Sequence, residues 1–306
     1  MQGHKNTMIE KLRQPATWPL YFTLLIYATL IWMQGFSSAM LQVLQEFEIA
    51  LTMALGSFVA GGTALGGGAV AFPVMTKVLA IEPSTAKVFS LAIQSFGMTA
   101  ATITILCRRI PIYTNLVLLA LPMSAFGVVL SLMFVAPTAP RLLVKSIFSF
   151  LLLCFAVTML LRWWRKAHHQ RSAQRIEPNT LRFMVVAFVG GIASGLVGSG
   201  SDIALFALLV IAYNADIKKA TATSVVVMAF TSLVGSAMNA WYLGAITPQI
   251  ESYLLAAIPI VVIGAPLGAY VCSKVKVGQL VSFLLLLIVL EVSFTSYELW
   301  SGSVLV

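Results

Sequence analysis

The residues best placed to do chemistry are the run Gly190 to Asp202, GGIASGLVGSGSD, and its counterpart Gly61 to Pro73, GGTALGGGAVAFP. Each lies inside a long apolar stretch. Glycine costs about 1 kcal/mol against alanine inside a helix, so glycine this dense predicts an unwound break. A half-helix should begin after each break, at about Ala69 and at Ser201. Its first N–H groups have no helical partner and carry the positive end of the helix dipole. Two such ends facing each other make an anion site without a fixed charge. Gly66, Gly67, Gly68, Gly198, Ser199, Gly200 and Ser201 are the residues this places around a small anion, where the missing Cβ lets it reach the backbone. The competing explanation is that the glycines only let helices pack closely.

Asp202 stands at the start of the second half-helix. Aspartate there caps free N–H groups. An intramembrane carboxylate also marks proton relays, and an ionised Asp202 would repel an anion, so protonation could couple to binding. Glu291 is the other intramembrane acid, with helix pairing as its simpler role. The helices after the breaks carry polar stripes. Ser90 and Gln94 are four apart and share a face, and Ser224 is the counterpart of Ser90. These three are assigned to anion contact, against the alternative that they bond neighbouring helices. Ser232, Ser236 and Asn239 share a further face.

Other chemistries are poorly supplied. His4, His168 and His169 lie outside the apolar segments, so no buried histidine can serve a serine nucleophile. Cys107, Cys154 and Cys272 are isolated and form no CxxC pair, which gives no metal or disulfide framework. No GxxxxGK[ST] run is present to hold ATP. The reading is of a non-enzyme without metal or cofactor.

The elements that position these residues follow from composition. The chain is 59% hydrophobic and 9% charged, against about 25% charged in soluble domains. Several apolar runs reach about 20 residues, the length that spans a bilayer as helix. They are continuously apolar rather than alternating, which argues against a β-barrel. The net charge of +9 sits in short loops, where the positive-inside rule places it, and is not a nucleic-acid signal. The partners are a small inorganic or organic anion and membrane lipid, with a homodimer left open.

The expected class is an all-α polytopic membrane protein, with one N-terminal helix and two inverted repeats. Residues 1–48 hold the tail and an extra span, Trp18 to Met40, ended by a polar turn at Glu48. Residues 49–161 form the first repeat, 162–182 a basic cytoplasmic linker, and 183–306 the second repeat. Each repeat is a re-entrant broken hairpin plus three crossings. These are Thr85–Leu106, Tyr113–Ala136 and Leu142–Leu161 in the first, and Ala220–Leu243, Tyr253–Cys272 and Val277–Trp300 in the second. Gly66 aligns with Gly198, Gly68 with Gly200, Ser90 with Ser224, Phe96 with Phe230, and Pro122 and Gly127 with Pro259 and Gly264. Chance likeness between apolar helices is the alternative, and the ordered series weighs against it. Lysine and arginine decide whether each break crosses or turns back. If both turn back, Lys5, Lys11, Arg13, Arg108, Arg109, the basic middle loop, Lys218, Lys219, Lys274 and Lys276 share one side. Only Lys87, Arg141 and Lys145 lie opposite, with Lys77, inside a hairpin, left uncounted. Single crossings would mix the two sets, so the rule favours hairpins and a cytoplasmic N-terminus. Three crossings per half invert the second repeat, and both tips then meet near the midplane, the plan of secondary transporters.

The two glycine segments are each followed by an Ala-x-x-x-Ser helix, Ala86–Ser90 and Ala220–Ser224, and each half carries a Pro-x4-Gly helix. Over about residues 50–300 this pattern resembles the TauE/SafE sulfite-exporter family. The resemblance implies a multi-pass carrier of the bacterial inner membrane. Its cargo would be sulfite, sulfonates such as sulfoacetate, or another small sulfur-containing anion. Export driven by protons or the membrane potential is the implied direction. An anion channel of the same architecture and an uptake carrier for another small anion are the alternatives.

Overall fold

The computed structural model describes residues 17–63, 66–168 and 179–275, and scattered positions between 278 and 293. Every regular element among them is helical. The order is α1 (Trp18–Gln34), α2 (Phe36–Gln45), α3 (Phe47–Gly62), α4 (Gly68–Pro73), α5 (Pro83–Cys107), α6 (Thr114–Leu130), α7 (Arg141–His168), α8 (Thr180–Val197), α9 (Ser201–Ala207), α10 (Ile217–Ala237) and α11 (Pro248–Lys274). Four of them, α4, α6, α9 and α10, end in a single π turn. Local chemistry sets the starts. Proline opens α5 and α11, where its missing N–H costs nothing. Asn179, Asp216 and Thr247 cap α8, α10 and α11 through their side-chain oxygens.

Five helices are long and apolar enough to cross a membrane, and a sixth if α1 and α2 count as one bent span. Large apolar side chains point outward, with Leu118 64% and Leu181 71% exposed, whereas Ser90, Ser199 and Asp202 are fully buried. That inside-out distribution suits hydrocarbon as solvent.

Three boundaries differ from expectation. The first span does not run to Met40. It stops at Gln34, and α2 leaves at 97°. Gly35 makes the corner with φ +78, a conformation open to glycine at little cost. The polar turn before α3 shrinks to Glu46, whose carboxylate accepts from Ser252 Oγ at 2.7 Å and so ties this corner to α11. The fourth span continues as α7 to His168, past its expected end at Leu161. The seventh span, with Glu291 and Trp300, lies outside the described residues apart from a few helical positions, as do residues 1–16.

Glycine seams hold the helices together. On α3, a Cβ at Gly61 would overlap the carbonyl of Ala265 on α11, and one at Gly268 would overlap that of Phe58. The same arrangement recurs between α8 and α6. There a Cβ at Gly191 would overlap the Ser124 carbonyl, one at Gly127 that of Phe188, and one at Gly195 would stand 3.2 Å from that of Val128. Close packing therefore explains these glycines. Beyond Gly35, positive φ values fall at Gly66, Ala80 and Arg109 and at Gly198, Asn214 and Gly244 among the described residues. Helices α5 and α10 pack against each other between the two seams. Filling a seam should be costly. Gly268→Leu is expected to lower the thermal midpoint of the detergent-solubilised protein by several degrees, because overpacking costs about 1–3 kcal/mol.

Candidate functional site

Around each break the chain folds back on itself. On the first, Gly56 of α3 faces Val70 of α4 at 3.5 Å, and Gly67 faces Ala60 at 3.5 Å, both measured from the glycine's would-be Cβ. On the second, Gly190 of α8 faces Ala204 of α9 at 3.2 Å, and the hydroxyls of Ser194 and Ser201 meet at 3.0 Å. The turns need glycine at two points. Gly66 has φ +67, and Gly198 has φ +85 while its N–H closes α8 on the Ser194 carbonyl at 2.9 Å.

The two breaks meet. A Cβ on Gly66 would overlap the Asp202 carboxylate and stand 2.9 Å from Gln94 Oε1 and 3.0 Å from Ser199 Oγ. From α5, Gln94 Nε2 donates to the Gly198 carbonyl at 2.6 Å and to Ser90 Oγ at 2.9 Å. Ser90 Oγ donates to the same carbonyl at 3.4 Å. Gln94 is 2% exposed, and its Oε1 has no hydrogen-bond partner. A buried acceptor without a donor costs about 1–3 kcal/mol.

The expectation of bare amides at the second tip is corrected. Asp202 Oδ1 accepts from Gly200 N at 3.2 Å and from Ile203 N at 3.0 Å, and Ser199 Oγ donates to it at 3.2 Å. Ser194 Oγ accepts from Ser201 N at 2.9 Å. Side chains have taken the donors that a free helix end would offer, because a desolvated N–H needs a partner. Asp202 thus holds two backbone N–H groups of this turn. Its carboxylate also occupies the position of an anion on these amides.

Gly66, Ser90, Gln94, Gly198, Ser199 and Asp202 are brought into one cluster. Gly200 and Ser201 shape the second turn behind it. Gly67 lies between Ala60 of α3 and the stem of Gln94, and Gly68 begins α4. Ser224 stands apart: its hydroxyl donates to its own helix at the Thr221 carbonyl, and among the described residues it makes no hydrogen bond to either tip. The polar stripe of α10 behaves partly as helix glue, with Thr231 Oγ1 donating to Ser124 Oγ of α6 at 3.0 Å. Ser194 is the participant that sequence reading missed. Folding GSGS back onto α8 places it opposite Ser201, and that constraint was the available signal. Among the described residues, no group of three His, Cys, Asp or Glu could hold a metal ion.

A multi-pass helical membrane protein with a buried polar centre between two helix breaks has the construction of a membrane transport protein. The family comparison gives the particular kind. Residues 49–293 match the model for the sulfite exporter TauE/SafE family, and the chain belongs to that family. No curated protein and no solved structure matches it.

Proposed function

We propose that the chain is a secondary carrier that exports small sulfur-containing anions, such as sulfite or an organosulfonate, by alternating access around the two glycine tips. The observation that carries this reading is the meeting of the breaks, with Gly66 packed against Asp202, Gln94 and Ser199. The matched seams and matched positive-φ residues support two related halves. The charge asymmetry of the loops supports opposite insertion, with re-entrant tips near the midplane and the N-terminus in the cytoplasm of a bacterial inner membrane. In the packed state the tips close on each other. Moving one half against the other would open them to either side in turn, exposing Gln94 Oε1 and the amides that Asp202 covers.

Counterflow tests the carrier. Proteoliposomes loaded with unlabelled sulfite are expected to take up labelled sulfite faster than empty ones, because a loaded carrier returns faster. Equal rates would assign the flux to a channel. No flux of any small sulfur anion would remove the reading.

A further inference from the structure

At the end of α5 away from the Asp202 cluster, a cavity of about 360 Å³ opens between α5, α10, α11 and the last turn of α3. That volume is within the range of small-molecule sites, about 300–1,000 Å³. Its mouth carries Arg108, Arg109 and Lys218, with Asp216 as the one acid in the lining. The Asp216 carboxylate is engaged, capping α10 at Lys219 N at 3.0 Å. Two of the cations are held in place. The Arg108 guanidinium lies 4.0 Å over the Tyr270 ring, and Lys218 Nζ donates to the Ser273 carbonyl at 2.5 Å. The Arg109 guanidinium has no partner among the described residues. Thr221 adds a hydroxyl further in, and the floor includes Gly62, four residues before Gly66.

The backbone at Arg109 is the second observation. Its φ is +51, and Ile110 N then bonds back to the Ile105 carbonyl at 2.9 Å. The matching turn after α10 has Gly244 at φ +57, with Ala245 N bonding back to the Asn239 carbonyl at 2.8 Å. Glycine makes this turn without strain, whereas a residue with a Cβ does not. Membrane orientation calls for basic residues on this side, but it calls neither for a cavity nor for an arginine in a left-handed turn. The left-handed turn fixes where the Arg109 side chain leaves the backbone, at the mouth of the cavity.

We propose that this cavity is a capture site for a small oxyanion, a sulfite or sulfonate head group, held by Arg109 with Arg108 and Lys218 before it reaches the tips. Guanidinium groups bind such heads through paired charge-assisted hydrogen bonds. The inference rests on the carrier reading for one point, that the captured anion is the one transported. A lipid phosphate has the same head-group chemistry, and the lipid composition of the test separates the two.

The test is calorimetric titration of sulfoacetate into the full chain in nanodiscs of phosphatidylcholine, with and without phosphatidylglycerol. Wild-type protein is expected to bind in both. Arg109→Gln should weaken binding at least about 10-fold, the size of one lost charge-assisted bond, and Arg109→Lys should weaken it less. Arg109→Gly, whose backbone suits the turn, should also lose affinity without harming the fold. Wild-type affinity in the Gln and Gly variants overturns the proposal. So does a wild-type protein that binds no sulfoacetate. Affinity lost on adding phosphatidylglycerol, and indifferent to Arg109, assigns the cavity to lipid and also overturns it. Gly66→Ala separates this claim from the carrier reading. Arg109-dependent binding with normal flux in that variant leaves the capture site standing and removes the tips from transport.

Discussion

Gly66→Ala is expected to abolish anion flux, while Gly67→Ala keeps it. Gly66 has φ +67, where a Cβ costs about 1–2 kcal/mol. The added methyl would also overlap the Asp202 carboxylate and crowd Gln94 and Ser199, so the tips could not close. Gly67 has φ −67, and its Cβ would stand 3.5 Å from Ala60 Cβ and 3.7 Å from Gln94 Cγ, which is ordinary contact. The adjacent glycines thus make a matched pair. Flux into proteoliposomes reads the effect, and elution of the purified protein as a single monodisperse peak excludes misfolding. Normal flux in Gly66→Ala would mean that close approach of the tips has no part in transport.

The second large effect is expected at Asp202. Its carboxylate sits on the amides of Gly200 and Ile203, and no lysine or arginine among the described residues is its partner. A second anion cannot use those donors while the carboxylate is charged and in place. Protonation weakens its hold, so wild-type flux should rise as pH falls. Asp202→Asn keeps the shape and a capping oxygen but cannot ionise, so its flux should be flat with pH. A simple alkyl sulfonate is the proper substrate, because its charge does not change over the range tested. If the Asn variant keeps the wild-type pH profile, Asp202 is a structural cap and the coupling lies elsewhere.

Much of this site was legible because glycine spacing acts directly on the backbone. Gly66 and Gly198 mark the left-handed turns, and Ser90 and Gln94, one helical turn apart, do face the second break. Two features depended on long-range contacts. Ser194 reads as one more small residue of α8 until the chain turns back on it. The closure of the second tip by Asp202 and Ser194 depends on side-chain rotamers that spacing does not determine. Ser224 shows the limit of matching halves, since its hydroxyl satisfies its own helix although its counterpart Ser90 reaches across. The corner at Gly35 was hidden because a lone glycine in an apolar run more often costs stability than bends the chain. Arg108 and Arg109 read in sequence only as loop charge. Their cavity is formed by α5, α10 and α11, which are distant in the chain.

The central claim is that the breaks form one anion pathway reached from both sides in turn. Ser199→Cys, in a chain with Cys107, Cys154 and Cys272 replaced by alanine, tests it most directly. A small membrane-impermeant thiol reagent is applied from each face of sealed vesicles, with and without sulfoacetate. The account predicts labelling of Cys at this position from both faces and protection by sulfoacetate. A thiol that is labelled from neither face, or labelled at a rate sulfoacetate does not change, would contradict it.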